Sequence, residues 1–286
     1  MKFADPKSNI AFKKVFGNEN KKEILISFLN AILDLKKEKE IVDIKILNPY
    51  QAPKIEMLKE TMLNVRAKDR RGITFIVEMQ VEKQAYFDKR SIYYTSKAYV
   101  NQIERGEDYP KLNQVIFIGI LNFNIFESKN YITRHLILNT ETYKQELKDI
   151  EFTFIELPKF KKKEKEIKTI VEKWIYFLKN AGELKIIPAK LKKPKEILEA
   201  FKIVEVYNWS KRELEVYEYW SLKEGGWEET LKKEREEGIK EGLEKGAKLK
   251  EIEIVKNLIR MGLSEEEIIK ATGIKSEELR AINERI

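Results

Sequence analysis

The sequence contains no cysteine and a single histidine, His135. The lack of cysteine excludes disulfides and thiolate metal ligands. One histidine excludes a histidine-rich zinc site and argues against Ser-His-Asp catalysis. His135 lies in an apolar stretch, so we expect a structural role for it. No segment approaches the run of about 18 to 20 apolar residues that a membrane span needs, and the N-terminus has no apolar signal core. We therefore expect a cytoplasmic protein without a membrane partner.

What is present is a long, strongly charged chain. Its 286 residues suit one or two domains, 42% of them are hydrophobic, and the net charge is +8. Residues 223–286 hold 14 Lys and Arg against 16 Glu, so residues 1–222 carry a balance of +10. A basic globular domain suits a nucleic-acid phosphate backbone, although a solvated lysine-rich surface has the same composition.

The most informative stretch is a predicted β-hairpin over residues 63–80. Two arms of alternating apolar and polar residues, 63–68 and 73–80, flank a glycine-containing turn over 69–72. If the turn is centred near position 71, Val65 lies opposite Val77. The apolar side chains of both arms then share one face of the sheet, because side chains change faces at every residue.

Polar side chains converge on the other face of this hairpin. The same register places Asn64 opposite Glu78 and Met62 opposite Gln80, and Glu78 and Gln80 share a face because they are two residues apart. Met79, between them, offers a backbone carbonyl. Such a set of oxygens has the geometry of a small site for a hard metal ion. A half-solvated hairpin whose polar face meets water would show the same alternation.

The remaining pattern predicts a mixed α/β chain. Helices are expected over 1–34 with a break at 17–18, and over 86–104, 164–179, 195–206, 211–222 and 228–260. Strands are expected over 41–47, 115–123, 131–139 and 151–157. We expect a core over 1–160, a helical cap packed on it over 161–222, and a charged helical tail over 223–286.

The tail carries glycines at 238, 242 and 246 in a Lys/Glu background, which indicates a weakly stable exposed helix. Ser264 and Ser276 each precede acidic residues and resemble helix caps, with Gly273 between them. Two short helices of this kind resemble a helix-turn-helix, but an acidic one, which favours packing over DNA binding. A homodimer through this tail is one expectation.

Several motifs, in order, resemble the recombination-promoting nuclease (Rpn) and transposase branch of the PD-(D/E)XK nuclease superfamily. They are Asp5 with 12–17, 28–33, the hairpin 63–80, Arg90 and Tyr94 with 96–99, 106–109, 154–160, and the glycine-periodic helix with 272–274. The resemblance runs nearly from end to end. It implies a restriction-endonuclease-like fold, in which a mixed sheet is flanked by helices, here with a helical C-terminal extension.

The same resemblance implies a function and a site. It implies DNA cleavage that depends on Mg²⁺, with Glu78 as a metal ligand and Gln80 at the position of the superfamily's catalytic lysine. Asn64 falls where the family has its metal-binding Asp, and Met79 supplies a carbonyl ligand. The resemblance therefore gives Asn64, Glu78 and Gln80 as the catalytic set.

Asn64 is a departure from the family, because an amide brings no charge to a metal ion. We therefore expect a Mg²⁺-dependent DNA endonuclease whose activity is impaired, and the alternative is a non-catalytic DNA-binding or oligomeric assembly protein with the same fold. An engineered change and a natural loss would leave the same sequence. Asp5, Lys13, Arg90 and Tyr94 are lesser candidates for supporting the site or holding phosphate, and Arg90 and Tyr94 are spaced to project from one side of a helix.

Overall fold

The structure is a computed structural model that describes residues 2–48, 50–51, 61–62 and 64–283. It divides into two compact units, Met1–Trp220 and Ser221–Ile286. None of the described helices combines the length and the apolarity needed to cross a bilayer.

The first unit is built on a mixed six-stranded sheet. Its described strands are β1 (Ile44–Leu47), β4 (Val65–Asp69), β5 (Thr74–Gln80), β6 (Val115–Leu121), β7 (Ile132–Leu136) and β8 (Ile150–Glu156), in the order β1-β4-β5-β6-β8-β7. A separate pair consists of β2 (Tyr50–Gln51) and β3 (Thr61–Met62). Strands β5, β6 and β8 run parallel to one another, and the other pairs of the six-stranded sheet are antiparallel.

Helices lie on both faces of this sheet. The described helices of the chain are α1 (Asn9–Phe16), α2 (Lys22–Ile32), α3 (Phe87–Val100), α4 (Ile170–Asn180), α5 (Lys195–Val204), α6 (Lys211–Arg260), α7 (Glu265–Thr272) and α8 (Ser276–Asn283). The predicted α/β class, a mixed sheet flanked by helices with a helical C-terminal region, is confirmed. The predicted helices over 211–222 and 228–260 are a single helix, α6, because the charged glycine-containing stretch does not interrupt it.

The predicted hairpin is present with the predicted register. Val65 pairs with Val77, and Lys68 pairs with Thr74 at the turn end. Asp69 closes the turn, since its carboxylate accepts the backbone N–H groups of Arg71 and Ile73 at 2.9 and 3.0 Å. These contacts fix the register, because a slip by one residue would exchange the two faces.

Two details of the hairpin differ from the sequence prediction. Met62 pairs with Tyr50 in the two-stranded sheet, so its expected place opposite Gln80 is wrong. Leu63 lies outside the described residues. The polar face of the hairpin is also not a solvated surface, because Ile76 and Glu78 on that face are both buried.

Both faces of the hairpin are buried because each packs against helices. One face of the hairpin packs with α1, α2, α4 and α5 in a large apolar core that includes Val65, Val77 and Trp174. The opposite face packs under α3 in a second core, where Ile76 meets Phe87 and other aromatic rings. Strand β5 is therefore a central strand, and the sheet buries the polar residues that the alternation alone would leave in water.

The second unit, described by itself, contains a small helical core. Val255 of α6, Ile268 of α7 and Leu279 of α8 are all buried in it. Ser264 caps α7 in a capping box with Glu267, as its sequence predicts, and α8 begins at Ser276 itself. Such caps stabilise short helices by about 1 kcal/mol each.

Candidate functional site

The candidate site begins at a carboxylate buried in the sheet. Glu78 lies near the carboxyl end of β5, and its side chain is 5% exposed. It points to the face covered by α3, because it shares the alternation of Ile76. Its neighbour on β6 is Gly119, and the rings of Phe154 and Phe117 take the space where a Cβ of residue 119 would lie. The carboxylate of Glu78 is therefore held in a closely packed part of the sheet.

Asn64 and Glu78 are brought together by a reciprocal set of hydrogen bonds. The backbone N–H of Asn64 donates to Glu78 Oε2 at 2.9 Å. The side-chain oxygen of Asn64 in turn accepts the backbone N–H of Met79 at 2.6 Å. Asn64 directly precedes β4, so these two bonds continue the hairpin by one residue. They hold the amide and the carboxylate in fixed positions.

The surroundings of Glu78 make it hard to ionise. Burial raises the pKa of Glu78 to about 7, because a charged carboxylate loses its hydration inside the sheet. The N–H of Asn64 and the positive charges of Arg90 and Lys13 act in the opposite direction and only partly offset the effect of burial on this pKa. A carboxylate that titrates near neutral pH, next to cations, is typical of functional sites.

Arg90 and Tyr94 lie on one side of α3, as their spacing predicts. Arg90 Nε donates to the hydroxyl of Tyr94 at 3.2 Å. The guanidinium also stacks over the rings of Phe87 and Tyr94, at 5.5 and 5.4 Å from their centroids. These contacts fix the orientation of the Arg90 side chain, so the position of its positive charge is set by aromatic packing.

Gln80 and Asp5, two predicted site residues, have other partners. The Gln80 amide donates to the carbonyl of Glu82 at 3.2 Å, so its described hydrogen bond is not to Asn64 or Glu78. The carboxylate of Asp5 accepts the backbone N–H of Lys7 at 2.9 Å and pairs with Lys7 Nζ at 2.8 Å. These contacts make Asp5 part of the turn that leads into α1.

Two further residues near the site were missed in the sequence. The Asn64 amide donates to Asn9 Oδ1 at 3.3 Å, across 55 residues of sequence, and no local pattern at Asn9 indicates this. Arg66 shares the face of Asn64, and its Nε is buried with no hydrogen-bond partner among the described atoms. Alternation along β4 could have identified Arg66, because it lies two residues after Asn64.

These donors form an incomplete site for Mg²⁺. Within the described residues, no group of three or more His, Asp or Glu side chains is placed to hold a metal. Mg²⁺ prefers oxygen ligands in octahedral geometry and usually binds through one or two carboxylates together with waters and substrate phosphates. Glu78 supplies one carboxylate, whereas the Asn64 oxygen is neutral and already accepts the Met79 N–H.

Comparison with known proteins identifies a family. The family model described as "PD-(D/E)XK nuclease family transposase" matches residues 6–234, a span that includes α1, the hairpin and α3. Neither curated proteins nor solved structures give a significant match.

Proposed function

The chain belongs to the PD-(D/E)XK nuclease family transposases, and we propose that it is a DNA endonuclease whose Mg²⁺-dependent cleavage is impaired at Asn64. The observation that carries this proposal is the pair of bonds joining Asn64, Glu78 and Met79. They hold an amide where a second carboxylate would complete a metal site. The basic balance of residues 1–222 supports DNA as the ligand.

Each residue of the site receives a proposed role. Glu78 is the acidic ligand, the Met79 carbonyl is a neutral ligand, and Asn64 occupies the position of the second acid. Gln80 takes the place of the superfamily's catalytic lysine. Its side-chain amide does not ionise, so its proposed role is to orient reacting groups by hydrogen bonding and not to transfer a proton. When bound, a divalent cation would lower the pKa of a water molecule and neutralise developing phosphate charge.

Two cationic groups support this arrangement. Lys13 and Arg90 both act electrostatically on Glu78, so they lie close enough to the site to attract a phosphate group. Tyr94 holds Arg90 in place through its hydroxyl. We propose that they bind DNA phosphate and do not take part in bond cleavage.

The test is to restore the carboxylate. Asn64→Asp should raise the rate of nicking of supercoiled plasmid in Mg²⁺ by roughly a hundredfold or more, because it adds the missing charge to the site. Glu78→Ala in that background should abolish the gain, and EDTA should do the same. Asn130→Asp is the matched control, since it adds the same charge at an exposed position. No gain from Asn64→Asp would contradict the proposal.

A second candidate function is DNA binding without cleavage, and the single described carboxylate of the site favours it. It requires that the native chain bind duplex DNA in EDTA, with an affinity that falls steeply as salt rises. Electrophoretic mobility shift at increasing salt measures this. Unchanged nicking after Asn64→Asp, together with such binding, would select this function over the first.

We also propose that residues 223–286 form a separate tail domain that joins two copies of the chain. Ile239, Leu243 and Leu249 of α6 are 55 to 70% exposed, which leaves apolar surface for a partner helix. The double variant Ile239→Glu and Leu243→Glu should convert a dimer to a monomer in light scattering. If the native chain is a monomer, the proposal that the tail joins two copies is wrong.

A further inference from the structure

Tyr86, the residue that precedes α3, has an unfavourable backbone conformation. Its φ and ψ are 62° and 32°, in the left-handed region, and its side chain does not cap the helix. Bulky residues rarely adopt this region, where glycine and asparagine are preferred. The preferred N-cap residues, Ser, Thr, Asp and Asn, all have short polar side chains. A tyrosine therefore meets neither local preference at this position.

Packing does not compensate for this conformation. The side chain of Tyr86 is 70% exposed, and within the described residues it makes no hydrogen bond. Strained backbone conformations cluster at active sites and ligand-binding sites, where they can hold a group ready for its partner. The ring of Tyr86 is thus presented to solvent at a cost in stability.

The first turn of α3 carries two cations, Lys89 and Arg90, and one acid, Asp88, and it adjoins the candidate site. Lys89 Nζ lies 5.1 Å from the centroid of the Tyr86 ring. The backbone N–H of Arg90 donates to the carbonyl of Tyr86 at 3.0 Å, and the charge of Arg90 acts on Glu78. Lys89 and Arg90 form no salt bridge with any described carboxylate. An exposed ring and two such cations therefore lie within the first turn of one helix.

We propose that Tyr86 and Lys89 form a stacking site for an unpaired nucleobase, with Lys89 contacting the adjacent phosphate. This inference rests on the proposed function, because it takes DNA as the ligand. Aromatic rings beside cations are the common platform for single-stranded nucleic acid, since every base has a π-face that can stack. The preferred substrate would be DNA with an unpaired base, such as a bulge or a frayed end, and not uniform duplex.

The experiment uses the full chain and two fluorescent DNA probes in EDTA. One probe is a duplex with a single unpaired 2-aminopurine, and the other is the fully paired duplex of the same sequence. The native chain should bind the bulged probe more tightly and quench its 2-aminopurine. Tyr86→Leu should weaken binding of the bulged probe by about tenfold and abolish the quenching, because stacking is lost. Its binding of the paired duplex should change by less than about twofold, since no base is available to stack there.

Two variants control for structural effects. Tyr86→Phe keeps the ring and should keep both the affinity and the quenching, which shows that the position tolerates change. Tyr143→Leu removes another exposed tyrosine of positive φ, 78% exposed with a φ of 54°, and should bind both probes like the native chain.

The outcomes separate this inference from the proposed function. If the native chain binds neither probe, DNA is not the ligand, and both the proposed function and the stacking site are wrong. If it binds both probes but Tyr86→Leu quenches and binds like the native chain, the stacking site alone is wrong. An equal loss in Tyr143→Leu would also overturn it.

Discussion

Two glutamates on the strands that flank β6 in the mixed sheet have very different surroundings. Glu156, the last residue of β8, is fully buried, and its carboxylate accepts the Ile125 N–H at 2.7 Å and pairs with Lys159 Nζ at 2.5 Å. Glu78 in β5 is almost as buried, but among the described residues it accepts one hydrogen bond, from Asn64, and forms no ion pair. The carboxylate of Glu156 is satisfied inside the fold, and that of Glu78 is not.

This difference indicates that the Glu156 carboxylate has a structural role, whereas the Glu78 carboxylate is available to bind a ligand. Glu156 ties the loop after β6 to the end of β8, because Lys159 also donates to the carbonyl of Phe126 at 2.7 Å. Among the described residues, the Glu78 carboxylate accepts one hydrogen bond, from the hairpin that carries it, and it lies within electrostatic reach of Arg90 and Lys13. A buried acid with so few partners is costly for the fold, and such groups are concentrated at functional sites.

The sharpest test of this comparison is Glu156→Gln, for which we expect the largest loss of stability. The substitution leaves Lys159, whose side chain is 11% exposed, without its counter-ion, and breaking such a buried pair costs about 3 kcal/mol. Urea unfolding measures the loss. Glu199→Gln is the control, because Glu199 pairs with two half-exposed lysines, Lys21 and Lys202, and each such pair contributes less than about 1 kcal/mol. Equal losses in both variants would remove the distinction.

Glu78→Gln should change how the free energy of unfolding depends on pH. The folded pKa of about 7 lies above the reference value of 4.5, so the folded chain keeps a proton that the unfolded chain releases between these values. The contribution of Glu78 is therefore full below pH 4.5 and is lost as pH rises to 7, on the order of 3 kcal/mol. Glutamine cannot ionise, so this fall should disappear in the variant.

Urea unfolding of both chains at pH 5 and pH 7.5 measures this difference. Carboxylates whose pKa is lowered, such as Glu213, lose their contribution to stability only as pH falls below 4.5, which lies outside this window. A native-like slope in Glu78→Gln would mean that the carboxylate is not desolvated in solution.

The sequence predicts the part of the site that local rules determine. Alternation fixes which residues share a face, and the turn closed by Asp69 fixes the register, so the sequence alone is enough to place Asn64 and Glu78 together. The same rules do not say what covers a face. Alternation alone is compatible both with a polar face that meets water and with a site, and α3, which buries that face, is a tertiary contact.

Other features depend on contacts between distant parts of the chain. Asn9 bonds to Asn64 across 55 residues, and nothing near Asn9 signals this. Asp5 resembles a site residue in the sequence but is bound by Lys7 in its own turn. The sequence predicts separate helices over 211–222 and 228–260, whereas α6 is continuous over both. Propensity is a weak guide where tertiary context decides.

The smallest expected change in stability is that of Asn64→Asp on adding Mg²⁺, and it tests whether Glu78 can become a metal ligand. Asn64→Asp places a second carboxylate beside Glu78, and the repulsion between them should lower Tm in EDTA. A divalent cation should then restore stability, by roughly 1.4 kcal/mol when Mg²⁺ is at ten times its Kd. That corresponds to a rise in Tm of about 3 to 6 °C. Differential scanning calorimetry with and without Mg²⁺ measures the shift.

The native chain and Asn64→Asp/Glu78→Gln are the controls for this experiment. Neither has both carboxylates, so neither should gain stability from Mg²⁺, and the gain in Asn64→Asp alone would localise the ion to these two side chains. A shift of equal size in all three chains would place the cation elsewhere. It would also mean that Asn64→Asp does not make Glu78 a metal ligand, because the chain that lacks the Glu78 carboxylate would gain as much stability as the others.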